Sequence, residues 1–227
     1  MRQLVFLLCF AIVTLSGIDS SGSATKQGTT VLARCLTDDQ LAKAIISLSR
    51  EYDEAQTAQR LLRQSSEQSS TCRRQIVAAV MRAMDKPGLD ISRNQADANL
   101  WQEGAVLLGD LKATQSLDLL LSHIKMTDGE WSSTMRHQPA LAGIVRMGPL
   151  AIPKLKLLLR NEDSQTRYYT VYCLYQIGGG SARRILQQAL PMESDRCVKR
   201  VIVVSLKEMR GIKPEPGEWA SAVFCSS

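Results

Sequence analysis

The 227-residue chain is predicted to be all-α, and three observations predict it. Apolar residues recur at helical spacing from about residue 36 to residue 211, with no sustained period of two. Aromatic residues make up only 5% of the chain, with 7 prolines and 14 glycines, which argues against a sandwich of short strands, while 44% hydrophobic content argues against disorder. The second half also repeats itself in helix pairs, the mark of a fold built by stacking one unit on the next.

Met1-Arg2-Gln3 carries one positive charge and precedes the apolar run Leu4 to Leu15, after which small polar residues follow. That layout is a secretory signal peptide over residues 1–23, with cleavage after Ser23. A run of this length falls short of the roughly 20 residues that a membrane-spanning helix needs. The expected location is therefore secreted or periplasmic, with no transmembrane span in the mature chain; an uncleaved signal anchor tethering the protein to a membrane is the alternative. Residues 24–36 read as a mobile N-terminal segment.

Thr37-Asp38-Asp39 caps a helix that the apolar pattern carries to about Leu62, where the polar stretch QSSEQSS ends it. A second helix runs from Cys72 to Met84 and stops at Lys86-Pro87-Gly88, so residues 37–95 form an N-terminal helical hairpin and linker. Arg50, Arg60, Arg63, Arg73 and Arg74, interleaved with Glu51, Asp53, Glu54 and Glu67, read as its solvated face.

Residues 96–211 hold the repeats, and residues 212–227 a C-terminal tail. Ala105, Leu108 and Leu111 superpose on Leu141, Ile144 and Met147, then on Val171, Leu174 and Ile177, then on Val203, Leu206 and Met209, with offsets of 36, 30 and 32 residues. Second helices follow the first three, with stripes Leu117, Leu120 and Ile124; Ile152, Leu155 and Leu159; and Ala182, Ile185 and Ala189. Gly148 and the Gly178-Gly179-Gly180 run stand where a left-handed C-terminal cap is wanted. Asp163 and Asp195 stand as N-caps of the third and fourth first-helices, and Pro153 occupies a first turn that needs no amide donor.

The segments GDLKATQSLDLLLSHI, RMGPLAIPKLKLLLRNEDSQTRYYTVYCLYQIGGGSARRILQQAL and SDRCVKRVIVVSLKEM resemble HEAT-like repeats of the short, phycobilin-lyase type. The resemblance covers about Ala96 to Arg210, with GPLAIPKLKLLL its most specific piece; Lys112, where later units carry glycine, and the long KMTDGEWSSTMRHQ connection depart from the pattern. It implies an α/α solenoid of HEAT-like helix pairs with a binding role, and it brings no catalytic residues.

Chemistry-bearing motifs are scarce. Ser122-His123-Ile124-Lys125 matches Ser-x-x-Lys without the companion Lys-Thr-Gly, so a helix end explains it. His123 and His137, the two histidines, have no acidic partner at ligand spacing, so no metal and no cofactor is expected. What remains is charge. Residues 148–227 carry a net +5, against +3 for 24–93 and −2 for 94–147. The candidate binding residues are Trp131, in a polar inter-repeat loop, and the outward cations Lys154, Lys156, Arg160, Arg183, Arg184, Lys199 and Arg200. Trp101 and Trp219 read as packing anchors.

The cysteines beyond the signal region are Cys35, Cys72, Cys173, Cys197 and Cys225, expected to pair as Cys35–Cys72 and Cys197–Cys225 with Cys173 a buried free thiol. The expected function is an exported, non-catalytic repeat scaffold that binds another protein. The alternatives are an enzyme or enzyme subunit of lyase type, or a binder of an anionic envelope surface through the basic C-terminal repeats; nucleic acid is disfavoured by the export signal.

Overall fold

The computed structural model describes residues 35–127, 138–215 and 218–219, which lie within one compact unit and contain helices and no strand. None of these helices is long and apolar enough to cross a membrane.

Thr37 opens the first helix, α1 (Asp38–Leu48), with a capping box: its hydroxyl accepts from the Gln40 amide while the Gln40 side chain accepts from the Thr37 amide. The expected single helix to Leu62 is instead two. Ser49 donates to the Ile46 carbonyl at 2.7 Å, Glu51 is extended, and α2 runs from Tyr52 to Gln68. QSSEQSS does end the helix, but later than Leu62: its first five residues form the last turns of α2, with Ser65 and Ser66 buried. Ser69 alone separates α2 from α3 (Ser70–Met84), and its hydroxyl accepts the Cys72 amide. Cys35 and Cys72 form a disulfide with Cα atoms 5.0 Å apart, tying the approach to α1 onto the first turn of α3. After a turn, Asn94 caps α4 (Gln95–Asp110) by accepting the Ala96 and Asp97 amides.

α1, α2, α3 and α4 all touch one another, so the expected hairpin is a four-helix cluster closed by α4. Polar groups line its seam. Glu103 of α4, almost fully buried, accepts from Gln56 and Gln59 of α2, at 3.1 and 2.6 Å. Of the arginines expected on a solvated face, half-buried Arg63 pairs with Asp110 of α4, and Arg73, exposed as expected, also donates to the Leu111 carbonyl.

Beyond α4 come α5 (Leu117–Ser122), α6 (Pro139–Met147), α7 (Ile152–Leu158), α8 (Ser164–Ile177), α9 (Gly179–Ala189) and α10 (Arg196–Glu208). Their principal contacts run differently: α4 packs on α6, α6 on α8 and α8 on α10, while α5 lies against α6 and both α7 and α9 against α8. The α4–α6 approach is closest at two glycines. A Cβ on Gly143 would stand 2.6 Å from the Ala105 carbonyl oxygen, and one on Gly109 2.5 Å from that of Gly143. One apolar core runs from Leu41 in α1 to Leu206 in α10.

The turns need positive φ, as expected, but not the left-handed helical cap: Gly148 (φ 64, ψ −136) and Gly178 (φ 71, ψ −162) adopt a region that is nearly glycine-only. Lys112 takes φ 51 at the corresponding turn after α4. Asp163 and Asp195 cap α8 and α10.

Val203 does not join the buried stripe; it is 39% exposed. The offset of 32 is sound, since it carries the Asp163 cap onto Asp195 and buried Thr170, Cys173 and Leu174 onto buried Ile202, Ser205 and Leu206. The difference is neighbours: α8 lies between α6 and α10, whereas among the described helices α10 packs chiefly on α8 and α9, and the counterpart of Val171 is exposed. The tail is not wholly without structure. Glu218 and Trp219 are helical, Lys207 pairs with Glu218 at 2.6 Å, and the Trp219 indole donates to Glu208 at 2.8 Å while stacking 5.2 Å from Tyr175.

Candidate functional site

The second helices and the turns after them carry five of the seven predicted cations, Lys154, Lys156, Arg160, Arg183 and Arg184. Gly148 turns the chain into a 3-10 segment, Gly148–Ala151, that runs into α7 with Pro153 in its first turn. Ala151 and Leu155, four residues apart, are buried and set the helix's orientation. Leu150, Pro153 and Leu157 then line the opposite side, with Lys156 and Arg160 beside them. In α9 the same device recurs: Ala182 and Leu186 are buried, and Arg183 and Arg184 point to solvent. Leu157 is 71% exposed, Leu150 50%, and Met192, just past α9, 68%.

Ion pairs hold these helices in step. Lys154 of α7 reaches Asp118 of α5, and Lys125, past the end of α5, reaches the α8 cap Asp163 at 3.0 Å. Arg167 of α8 is the firmest link. Its Nε and one terminal nitrogen donate to both oxygens of Glu193 at 2.8 Å, and its other terminal nitrogen donates to the Asn161 and Glu162 carbonyls at 2.8 Å. One guanidinium thereby draws the end of α7 and the turn after α9 together. The Arg167 and Glu193 side chains are only 12% and 6% exposed.

The electrostatics follow from these contacts. Thr166, then Lys125, holds the Asp163 carboxyl down at about 2. Burial pushes Glu193 up, but the Arg167 guanidinium and the Asp195 amide outweigh it and leave the carboxyl below its ordinary value. Residues 148–161 and 178–192 contain no acidic side chain, and Glu162 borders the face at its end.

The structure sorts the predicted residues. Lys156 on α7, Arg160 in the turn after it, and Arg183 and Arg184 on α9 are exposed, and α7 and α9 touch. Lys154 is half-buried and committed to Asp118. Lys199 is exposed on α10, on a stripe with Arg196 and Val203, and Arg200 beside it is half-buried and engaged. Trp131, His137 and Cys225 lie outside the described residues. Cys173 is buried and free, its thiol pushed up by burial; Cys197, at the start of α10, is disulfide-bonded.

His123 stacks 4.6 Å from buried Trp101 and its Nδ1 lies 2.9 Å from the Leu119 carbonyl, while Ser122 donates to the same carbonyl. Both close the end of α5, as its Ser-x-x-Lys residues were expected to. Among the described residues no group of three or more His, Cys, Asp or Glu is placed to hold a metal ion. A cavity of about 530 Å³ lies in the open groove between α1 and α2, walled by Lys43, Asp53, Glu54 and apolar Ala44, Ala58 and Leu61.

Exposed Leu157 escaped the periodicity argument, yet a signal was there. Leu157, Leu158 and Leu159 are consecutive, and side chains 100° apart on a helix cannot all face one core. The arrangement as a whole can bind, offering arginine forks suited to carboxylates beside bare leucine and methionine. The chain matches no protein-family model, no curated protein and no solved structure.

Proposed function

We propose that the protein is an exported, non-catalytic scaffold of HEAT-like helix pairs stacked as an α/α solenoid, and that it binds another protein along the surface made by its second helices, α5, α7 and α9. The observation that carries this reading is the α7–α9 region, where Leu157, Met192, Lys156, Arg160, Arg183 and Arg184 are all exposed on touching helices and the turns after them, fastened by Arg167 and Glu193. A rigid row of helix pairs presents such a side surface at little entropic cost, which is what repeat scaffolds supply. The row of contacts α4–α6–α8–α10 supports the stacking, the disulfide Cys35–Cys72 accords with an oxidising compartment, and the signal-like residues 1–23 direct the chain there.

Cross-linking in the exporting cell, followed by affinity capture and peptide mapping, tests the proposal. Links from one partner should map to α5, α7 and α9 and be lost with Leu157→Glu; links that map only to α1–α3 would sink it. Mass spectrometry of the exported form should find Ala24 as its first residue.

The cationic face also favours a second reading, attachment to an anionic envelope surface. That attraction fades as ionic strength rises, whereas a protein interface anchored by leucine persists, so a salt titration separates the two.

A further inference from the structure

Resting on the scaffold reading, we infer that the partner of the α7–α9 face is an acidic protein segment that seats an apolar side chain against Leu157 and Met192 while its carboxylates meet Arg160, Arg183 and Arg184. Three features of the face lead there. It is cationic without internal compensation: Lys156, Arg160, Arg183 and Arg184 are exposed, and residues 148–161 and 178–192 hold no carboxylate to pair with them. Three of those four cations are arginines, whose planar forks match carboxylates in two-point contacts, whereas a lysine offers a point charge. And exposed apolar side chains share these segments with the cations: Leu150, Pro153 and Leu157 lie along one side of α7 and the turn before it, with Lys156 and Arg160 alongside, and exposed Met192 precedes Glu193, which Arg167 links to the Asn161 carbonyl just past α7.

A membrane is the poorer fit. Helices that lie on lipid present long apolar faces rich in Trp, Phe and Leu. α7 has 7 residues, roughly 10 Å of helix, and residues 148–161 and 178–192 contain no aromatic side chain; Tyr168, Tyr169 and Tyr172 of α8 and Trp219 pack on the core. A second copy meeting face to face would oppose like charges.

The probe is a fluorescein-labelled 16-residue peptide of glutamates with leucine at every fourth position, titrated into the full mature chain by fluorescence anisotropy. Three companions are an all-glutamate peptide, a glutamine/leucine peptide and a lysine/leucine peptide. The glutamate/leucine peptide should bind at least tenfold more tightly than each companion. Leu157→Ser with Met192→Ser should cost tenfold or more, Arg183→Glu with Arg184→Glu should abolish binding and admit the lysine/leucine peptide, and Arg60→Glu on α2, exposed and away from this face, should change little. These side chains are exposed, and circular dichroism checks that each variant folds.

Equal binding of the glutamine/leucine peptide, or insensitivity to the Arg183/Arg184 reversal, would overturn the inference while leaving the scaffold reading standing. Tighter binding to phosphatidylglycerol vesicles than to the peptide, lost with the same reversal, would overturn it in favour of lipid. Self-association of the chain at micromolar concentration that the Leu157/Met192 substitutions abolish would overturn it in favour of a second copy. If cross-links map away from the second helices altogether, the scaffold reading falls first.

Discussion

The two ends of the molecule are assembled by different rules. In the N-terminal part, α1, α2, α3 and α4 touch in every combination, a disulfide joins the approach to α1 with α3, and the buried Glu103 takes hydrogen bonds from two glutamines of α2. From α6 onward the principal contacts run between helices close in order, and ion pairs such as Arg167–Glu193 fasten one turn to the next. A cluster in which every member touches every other should loosen all at once, whereas a row should loosen locally, because its stability is close to a sum of neighbour terms.

The largest expected effect comes from opening the disulfide. Its loop spans a sequence separation of 37, and releasing a loop of that size costs about 4 kcal/mol on the chain-entropy account. Cys35→Ser should lower unfolding stability by about that much. Hydrogen exchange should show α1, α2, α3 and α4 losing protection together while α8 and α10 keep theirs; loss confined to α1 would deny that the cluster is one cooperative unit.

Next in size is Arg167→Ala, which strands a buried Glu193 and removes the donors to Asn161 and Glu162. Breaking one partner of such a pair costs about 3 kcal/mol. Chemical denaturation should show it, with exchange rising at the α7–α8 and α9–α10 turns and little change in α1–α3. Adding Glu193→Gln should recover part of the loss, since an uncompensated charge is then gone.

Gly143→Ala tests where the two regions meet. Its methyl would press on the Ala105 carbonyl, and crowding of that kind costs about 2 kcal/mol. Gly180→Ala in α9, which meets nothing within 4 Å, should instead raise the melting temperature slightly, since alanine is the better helix former. Similar losses at both sites would show that the α4–α6 approach is looser than described.

The smallest effect is acid sensitivity of the row. Asp163 is held near 2 by Thr166 and Lys125, against an ordinary 3.8, so between those values the unfolded chain binds more protons than the folded one. Its contribution is whole above pH 3.8 and is lost as pH falls toward 2. Asp163→Asn should flatten the stability profile in that window, and an unchanged slope there would leave Asp163 with no share in it.

Legibility in the sequence followed the range of the interaction. Caps are local, and Thr37, Asp163 and Asp195 were readable because each bonds amides within three residues of itself. The break at Ser49–Glu51 was not, because helical periodicity continues across it and no glycine or proline marks it. QSSEQSS marked the helix end but not its position: polarity pointed to Leu62, whereas small serines suit a crowded helix contact, two of them are buried in one, and α2 runs on to Gln68. Ala113–Leu117, Ala151–Leu155 and Ala182–Leu186 mark the inner face of each second-helix region more sharply than the stripes first drawn, since all six residues are buried. Val203 shows the limit: its periodicity was right, and its exposure depends on which helices pack around it. For the candidate face, outward cations were readable from helical geometry, but the capture of Lys154 by Asp118, 36 residues away, was not.

The offset of 32 that carries Asp163 onto Asp195 also carries Arg167 onto Lys199, which is exposed. Arg167 is met from the following turn by Glu193; Lys199 stands at the same address one unit later. Among the described residues α10 therefore resembles a plug with its socket half left open, and an engineer extending the protein would know which charge to bring. A further helix pair grafted there, with an acid where its second helix ends, would find its cation already in place.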